Sequence, residues 1–170
     1  GLDSNRRDIF SRVIHGSRLS LQIGFVTTAL SLIVGTLLGA IAGYAGEAID
    51  NLIMRIMDIF QAFPSLLLAI AIVTVLGTGL INTLLAVAIV SIPGYARIVR
   101  AAVMSVKELE YINASRALGS SPLRILFTRL LPNSMTPVII AGTLGVAGTI
   151  LEAAGLSFLG LGAQPPLPEW

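Results

Sequence analysis

Long uncharged stretches alternate with short polar segments along this chain. The uncharged stretches lie between Arg18 and Glu47, between Asp58 and Arg97, and between Arg129 and Glu152. One helical crossing of a bilayer takes roughly 20 apolar residues, so the first and last stretches are each long enough for one crossing. The middle stretch is long enough for two, and a turn-forming cluster, Gly77-Thr78-Gly79, divides it. The pattern predicts four spans, near residues 19–45, 59–77, 80–100 and 134–153.

The composition favours the same interpretation. Of the 170 residues, 55% are hydrophobic and 12% are charged, whereas about a quarter of a soluble domain is charged. The alternative is a soluble all-helical protein, but nothing would cover such long apolar runs in water. We therefore predict an all-α fold, a polytopic transmembrane helix bundle. The net charge of +2 and the lack of interleaved aromatic and basic residues argue against nucleic-acid binding.

The sequence offers no catalytic, cofactor or metal site. It contains no phosphate-binding G-x-x-x-x-G-K-[ST] loop, so the usual mode of ATP binding is not expected. There is no cysteine, and His15 is the only histidine, which leaves too few ligands of the types that bind zinc.

A polar, basic segment, residues 107–133, separates two apolar stretches, and we call it the elbow. Its amphipathic part runs to Leu118 and stops at Gly119, since glycine readily adopts the left-handed conformation past a helix end. Ser121-Pro122 is a helix-start signature. We expect two short helices with a sharp bend, closed off by Pro132, that form a docking element.

Small residues recur in two of the predicted spans. Gly35, Gly39 and Gly43 are four residues apart and follow Thr27 and Ser31 at the same spacing, which predicts a face where another helix packs closely. In the last span, Gly142, Gly145 and Gly148 form a similar strip. For this second strip, helix packing and lining of a translocation pathway both remain open.

Residues 50–63 are amphipathic, with Asp50, Arg55 and Asp58 on the polar side, and Arg55 is placed to pair with Asp58. Phe63-Pro64 follows, and proline interrupts helical hydrogen bonding. The segment is either an interfacial lead-in helix or a bend that gates a pathway.

Several motifs together resemble those of the ABC-transporter permeases. Asn113-Ala114-Ser115, Gly119 and Leu131-Pro132 have the spacing of the EAA motif, and Tyr111, Ala114, Ser115, Arg116 and Gly119 match the form it takes in the C-type subunit of dipeptide and oligopeptide importers. Asn113 and Ser115 stand where the motif has Glu and Ala, Arg129 where Ile or His is usual, and Arg6 where the N-terminal pattern has glycine. Other matches extend over essentially the whole chain: Asp3, Arg7-Asp8, Ser11-Arg12, Gly16, Arg18, Ser20-Leu21, Phe63-Pro64, Ala96-Arg97, Arg100, residues 156–162 and Pro165-Pro166.

The resemblance implies a permease subunit in a bacterial or archaeal inner membrane. Family permeases have about six spans, so residues 1–170 would be a single permease domain truncated at both ends. The implied partners are a second permease subunit, cytoplasmic ATP-binding subunits that receive the elbow and carry out ATP hydrolysis, and an extracytoplasmic substrate-binding protein. The implied cargo is di- or oligopeptides, although glutathione and nickel-complex importers share this branch. The residues implied for ATPase docking are Tyr111, Asn113, Ala114, Ser115, Arg116, Gly119, Ser121, Pro122, Leu131 and Pro132.

Two other functions fit a membrane bundle. An ion-driven secondary transporter would need acidic residues near mid-membrane, but Asp58 and Glu152 lie at span ends. In a channel or a structural membrane subunit, the elbow would be incidental. Copurification of an ATPase that depends on the elbow separates these alternatives from an importer.

Charge also predicts the orientation. An odd number of spans separates residues 1–18 from the elbow, so the two lie on opposite sides. Cytoplasmic segments are richer in Lys and Arg, which places the elbow inside because its side carries more cations: Arg55, Arg97, Arg100, Lys107, Arg116, Arg124 and Arg129, against Arg6, Arg7, Arg12 and Arg18. We expect residues 6–18 to form a short helix at the outer surface.

This orientation is testable because the chain holds no cysteine. A cysteine placed at Ser120 should react with an impermeant thiol reagent only after the cells are opened. A cysteine placed at Ser4 should react in intact spheroplasts. The reverse labelling pattern would contradict the predicted topology.

Overall fold

The computed structural model describes residue 1 and residues 8–162, and the elements in this part of the chain are helices. The predictions at Asp3, Arg6, Arg7 and Pro165-Pro166 lie outside the described residues. In chain order the helices are α1 (Ile9–Ala45), α2 (Glu47–Gln61), α3 (Ser65–Leu76), α4 (Leu80–Lys107), α5 (Glu110–Ala117), α6 (Pro122–Ile125), a π-helix (Leu126–Leu130), α7 (Leu131–Asn133) and α8 (Met135–Phe158).

Three of these helices, α1, α4 and α8, are long and apolar enough to cross a membrane. The interrupted pair α2 and α3 would supply a fourth crossing if counted as one span. The expectation of an all-α bundle is confirmed, but the span predicted at 59–77 is not one continuous helix. Pro64 has no N–H and disfavours helical geometry at Phe63, so α2 ends at Gln61. The 12 residues of α3 rise only about 18 Å.

The N-terminal part of α1 also differs from the expectation. Within the described part of this segment, residues 8–18, there is no separate surface helix, because α1 begins at Ile9 and continues without a break to Ala45. The Asp8 side chain accepts a hydrogen bond from the Ser11 N–H at 3.0 Å, which caps the first turn. Gly16 alone costs a helix about 1 kcal/mol, too little to interrupt one of this length.

The chain divides into two compact units. The first comprises Gly1–Leu30, Pro64–Val90 and Leu144–Trp170, of which residues 2–7 and 163–170 are not described. Its buried core contains Ala69, Val73, Ala86, Val87 and Leu156. The Leu161 carbonyl accepts bonds from the Gly79 N–H at 3.1 Å and the Thr83 hydroxyl at 3.0 Å. These bonds join the turn between α3 and α4 to the end of α8.

The second unit comprises Ser31–Phe63 and Ser91–Thr143. It contains the elbow, the C-terminal parts of α1 and α4, all of α2 and the start of α8. Its buried apolar core draws on each of these elements except α2: Ala40, Val99, Val103, Ile112, Ile125, Leu126, Leu130 and Val138. The elbow is therefore part of the folded unit rather than an appended loop.

Within the second unit, α1 lies against α4 along the glycine face. A Cβ atom added at Gly35 would lie 2.7 Å from the Tyr95 Cβ, and one added at Gly39 would lie 2.9 Å from the Val99 Cβ. At Gly43 the added atom would lie 3.0 Å from the Arg100 carbonyl oxygen. Any side chain at these positions would separate the two helices.

Two carboxylates of α2 bind two arginines of α4. Asp50 receives two hydrogen bonds from Arg100, from Nε and Nη2, and Asp58 receives one from Arg97. The pair predicted between Arg55 and Asp58 is therefore wrong, because the Asp58 carboxylate faces Arg97 instead. The Asp50 side chain is only 13% exposed, whereas that of Asp58 is 60% exposed.

We expect Gly39→Ala to destabilise the protein, because the new methyl group overlaps α4. Overpacking of this kind typically costs about 1–3 kcal/mol. Gly94→Ala is the matched control, since Gly94 is also helical and an added Cβ would meet no atom within 4 Å. The measurement is the unfolding temperature of the detergent-purified full-length protein, and equal midpoints for both variants would contradict the close packing.

The two ion pairs should differ in their contribution. Asp50→Asn leaves the partly buried Arg100 without its counter-charge and weakens two charge-assisted bonds, so we expect a loss of about 1.5–3 kcal/mol. Asp58→Asn should cost less than about 1 kcal/mol because the pair is exposed. Denaturant unfolding of the two variants in the same detergent measures the difference, and a larger loss for Asp58→Asn would refute this ranking.

Candidate functional site: the elbow

The bend of the elbow is a Schellman motif. α5 ends at Ala117, and Gly119 has φ of +77°. The Gly119 N–H donates to the Arg116 carbonyl at 2.9 Å, and the Ser120 N–H donates to the Ser115 carbonyl at 3.1 Å. This is the pair of bonds that defines the motif and that favours glycine at the left-handed position. α6 then begins with Pro122 in its first turn, as the sequence predicts.

The prediction that Pro132 closes the elbow is wrong. After α6 the chain continues as the π-helix, then as α7 with Pro132 near its start, and then as α8. Proline is accepted there because it stands where the π-helix gives way to α7, and the change of hydrogen-bond pattern tolerates its missing N–H. The elbow is thus joined to α8 by an almost continuous helical path.

One side of the elbow is buried in the second unit, and the other is exposed. Ile112 and Leu130 are fully buried, and Ile125 is 1% exposed. On the outer side, Leu118 at the bend is 87% exposed and Leu123 is 68% exposed. Two apolar side chains thus project from the bend, while the segment behind them is fixed in a core.

Side chains at the EAA-like positions form a local network. The Asn113 side-chain oxygen accepts a hydrogen bond from Arg116 at 3.1 Å. The Ser115 hydroxyl donates to the Tyr111 carbonyl at 2.8 Å, which satisfies this nearly buried group within α5. The guanidinium of Arg116 lies 5.9 Å from the centre of the Tyr44 ring, a distance typical of a cation–π contact.

Lys107 joins the same ring from α4. Its ammonium group lies 5.9 Å from the centre of the Tyr44 ring and donates to the Gly43 and Tyr44 carbonyls at 3.4 and 3.3 Å. A cation at the C-terminal end of a helix is favoured by the helix dipole. Tyr44 therefore connects the end of α1 to both α4 and the elbow.

Two cavities flank α6. One, of about 450 Å³, is mainly apolar and includes the end of α1; its wall comprises Ile41, Tyr44, Ala45, Arg116, Pro122, Leu123 and Leu126. The other, of about 420 Å³, is basic, and we call it the basic cavity; its wall comprises Ser120, Arg124, Ile125, Thr128 and Arg129.

The remaining predicted positions are distributed over both units. Leu131 is half-buried against the core of the second unit, and Pro132 is exposed. Phe63 and Pro64 are exposed at the break between α2 and α3. Ala114, Ser121 and Pro122 lie on the exposed surface of the elbow.

The glycine strip of α8 is not uniform. An added Cβ at Gly142 would lie 2.6 Å from a Leu32 methyl group, so this glycine packs against α1. Gly148 has open space around it, and Gly145 is half-buried. Packing accounts for Gly142, while the surroundings of Gly148 leave room for another molecule.

Sequence reasoning missed the roles of Tyr44 and Lys107 and the pairing of α2 with α4. A signal for the pairing exists, since Asp50 and Asp58 share a face of α2 and Arg97 and Arg100 share a face of α4. Within residue 1 and residues 8–162, no group of three or more histidine, aspartate or glutamate side chains is placed to hold a metal ion.

Comparison with known proteins decides the family. Residues 35–170 match the family described as "Binding-protein-dependent transport system inner membrane component". The chain belongs to this family. It is accordingly an all-α, multi-pass component of an inner membrane, as the motifs of the elbow led us to expect.

Three curated relatives indicate the same family. The chain is 56% identical over 170 residues to the dipeptide transport system permease protein DppC of Alkalihalophilus pseudofirmus, a match that covers 100% of this chain and 56% of that protein. It is 55% identical, with the same coverage, to the di/tripeptide transport system permease protein DppC of Pseudomonas aeruginosa. The glutathione transport system permease protein GsiD of Pectobacterium atrosepticum is 46% identical, again over 100% of this chain and 56% of that protein. The chain thus spans little more than half the length of these relatives.

A solved structure has the same fold. A chain of the MetNI methionine ABC transporter, in an inward-facing conformation, superposes with a TM-score of 0.78 at 23% identity. The superposition covers 91% of this chain and 77% of that one. The likeness extends over most of both chains and shows a shared fold.

Proposed function

We propose that this chain is part of a permease domain of an ATP-driven importer and that its elbow receives the cytoplasmic ATP-binding subunits. The observation that carries the proposal is the bend at Gly119, where exposed Leu118 projects from a segment anchored by buried Ile112 and Ile125. Together with the exposed Leu123, Leu118 forms an apolar surface on a rigid support, which a docked partner would bury. The family description, which names a binding-protein-dependent transport system, and the relatives' names as transport system permease proteins support a role in such an importer.

The buried side of the elbow explains how movement of a docked partner would be transmitted to the membrane helices. Ile112, Ile125 and Leu130 pack with Ala40 of α1 and with Val99 of α4 in one core. Close-packed interiors transmit displacement because they hold few voids. Movement of the docked ATPases would therefore reorient α1, α4 and α8 together, in a cycle that opens the pathway to alternate sides.

The energy, in this proposal, comes from separate subunits. The chain contains no P-loop, and its described acidic residues do not form a buried relay. A second permease subunit would complete the pathway, and a substrate-binding protein would deliver cargo from outside. Candidates for lining or gating the pathway are Phe63, Pro64, Gly142, Gly145 and Gly148.

The cargo we propose is di- or oligopeptides. Two of the most similar relatives are named as dipeptide or di/tripeptide permeases, at 56% and 55% identity. A glutathione permease at 46% identity carries a tripeptide-like molecule, so a short peptide backbone is the shared chemistry.

Gly119→Val tests the docking role. A β-branched residue at φ of +77° is strained by about 1–2 kcal/mol, and its side chain would project toward the docked partner. We expect the spans to insert while ATPase copurification falls by about tenfold and uptake is lost, because distortion of the bend misplaces Leu118. Both are measured on the full-length permease reconstituted with its partner permease, ATPases and binding protein.

Gly160→Val is the matched control. Gly160 has φ of +78°, open space around it, and the same hydrogen-bond pattern, from the Gly160 N–H to Ser157 and from the Leu161 N–H to Leu156. It should carry the same strain but retain ATPase binding. Wild-type uptake by Gly119→Val would refute the docking role, as would equal loss of ATPase binding by both variants.

A further inference from the structure

We propose that the basic cavity binds the phosphate group of an anionic phospholipid. This site adjoins the bend at Gly119 through Ser120, and it does not depend on the proposed transport activity. Three observations carry it: two arginines that form no ion pair among residues 8–162, a concave site with a hydroxyl group in its wall, and its place beside the start of a helix long enough to span a membrane.

Arg124 and Arg129 line the same cavity. Among the described residues, neither forms an ion pair, in contrast to Arg97 and Arg100, which bind Asp58 and Asp50. Because both positive charges belong to the wall of one cavity, an anion inside the cavity would be favoured. The planar guanidinium group matches the oxygens of a phosphate in two-pronged geometry.

The wall between the arginines suits a phosphate ester. Ser120 is half-buried and places a hydroxyl group in the wall. The Thr128 hydroxyl donates to the Arg124 carbonyl at 2.6 Å, which holds its methyl group and oxygen in a fixed orientation. A volume of about 420 Å³ leaves room for the group esterified to the phosphate.

The position along the chain favours a lipid over a free anion. Arg129 stands shortly before α8, which is long and apolar enough to span the bilayer, so the cavity lies where headgroups would be found. Phe127, beside the cavity-lining Thr128, is 52% exposed and offers an apolar contact for the start of an acyl chain. Basic residues next to a spanning helix are attracted to anionic lipid by about 1 kcal/mol each.

The test is native mass spectrometry of the detergent-purified full-length permease titrated with phosphatidylglycerol. Arg124→Gln and Arg129→Gln should each weaken binding about fivefold, and the double variant about thirtyfold. Arg55→Gln is the matched control, since Arg55 is exposed on α2 and its loss removes the same charge. It should bind as the wild type does, and phosphatidylcholine should bind all variants equally.

Four outcomes would overturn the proposal. Wild-type affinity of the double variant would show that the cavity is not the site, and an equal loss in Arg55→Gln would show that only net charge matters. Displacement of the lipid by an equal concentration of inorganic phosphate would assign the cavity to the free anion. Unchanged lipid binding together with loss of the ATPases would assign the two arginines to acidic groups of that partner. Arg124→Lys/Arg129→Lys keeps the charge but loses the two-pronged geometry, so it should bind more weakly than the wild type and more tightly than the double Gln variant.

Discussion

The second unit depends on the direct contact between the backbones of α1 and α4. Apolar side chains gain little from facing each other when lipid is the alternative, so helices in a membrane associate through close van der Waals contact. The glycines of α1 allow that contact over three successive turns. The contact in turn places Val99 and Val103 where the buried side chains of the elbow meet them. A wider spacing between α1 and α4 would leave Ile112 and Leu130 without their partners.

Polar contacts at the end of α1 complement this apolar contact. The Tyr44 ring lies near two cations, Lys107 of α4 and Arg116 of α5. The ring is apolar enough to pack against the core, and its face attracts the two positive charges. The Asp50–Arg100 pair holds α2 beside α4 in the same unit. Because charged contacts of this kind are directional, they fix the rotation of each helix, whereas the apolar core mainly fixes the distance between helices.

The sequence was sufficient for features that depend on local chemistry. The helix class, the division between α3 and α4, the bend at Gly119 and the restart at Pro122 all follow from residue type and spacing. The wrong predictions concern residues whose local sequence is compatible with two different structures. Pro132 would end a regular α-helix from its interior, but here it follows the π-helix, whose altered hydrogen bonding accommodates it. Arg55 lies close enough to Asp58 to pair, but Arg97, distant in sequence, forms the bond. The basic cavity was not predicted because its shape depends on how α6 and the π-helix pack beside Ser120, which residue spacing alone does not give.

The π-helix between α6 and α7 determines which side of the helical path faces the core. Leu126, Leu130, Ser134 and Val138 are buried at every fourth position. In an α-helix, four residues advance about 40° more than a full rotation, so a stripe with this spacing would turn steadily away from the core. The π-helix at 126–130 takes more residues into one turn and removes that excess where the stripe begins. The additional residue in this turn thus keeps the buried stripe facing the core. Deleting one residue there would rotate the following helix so that its buried side no longer faces the core.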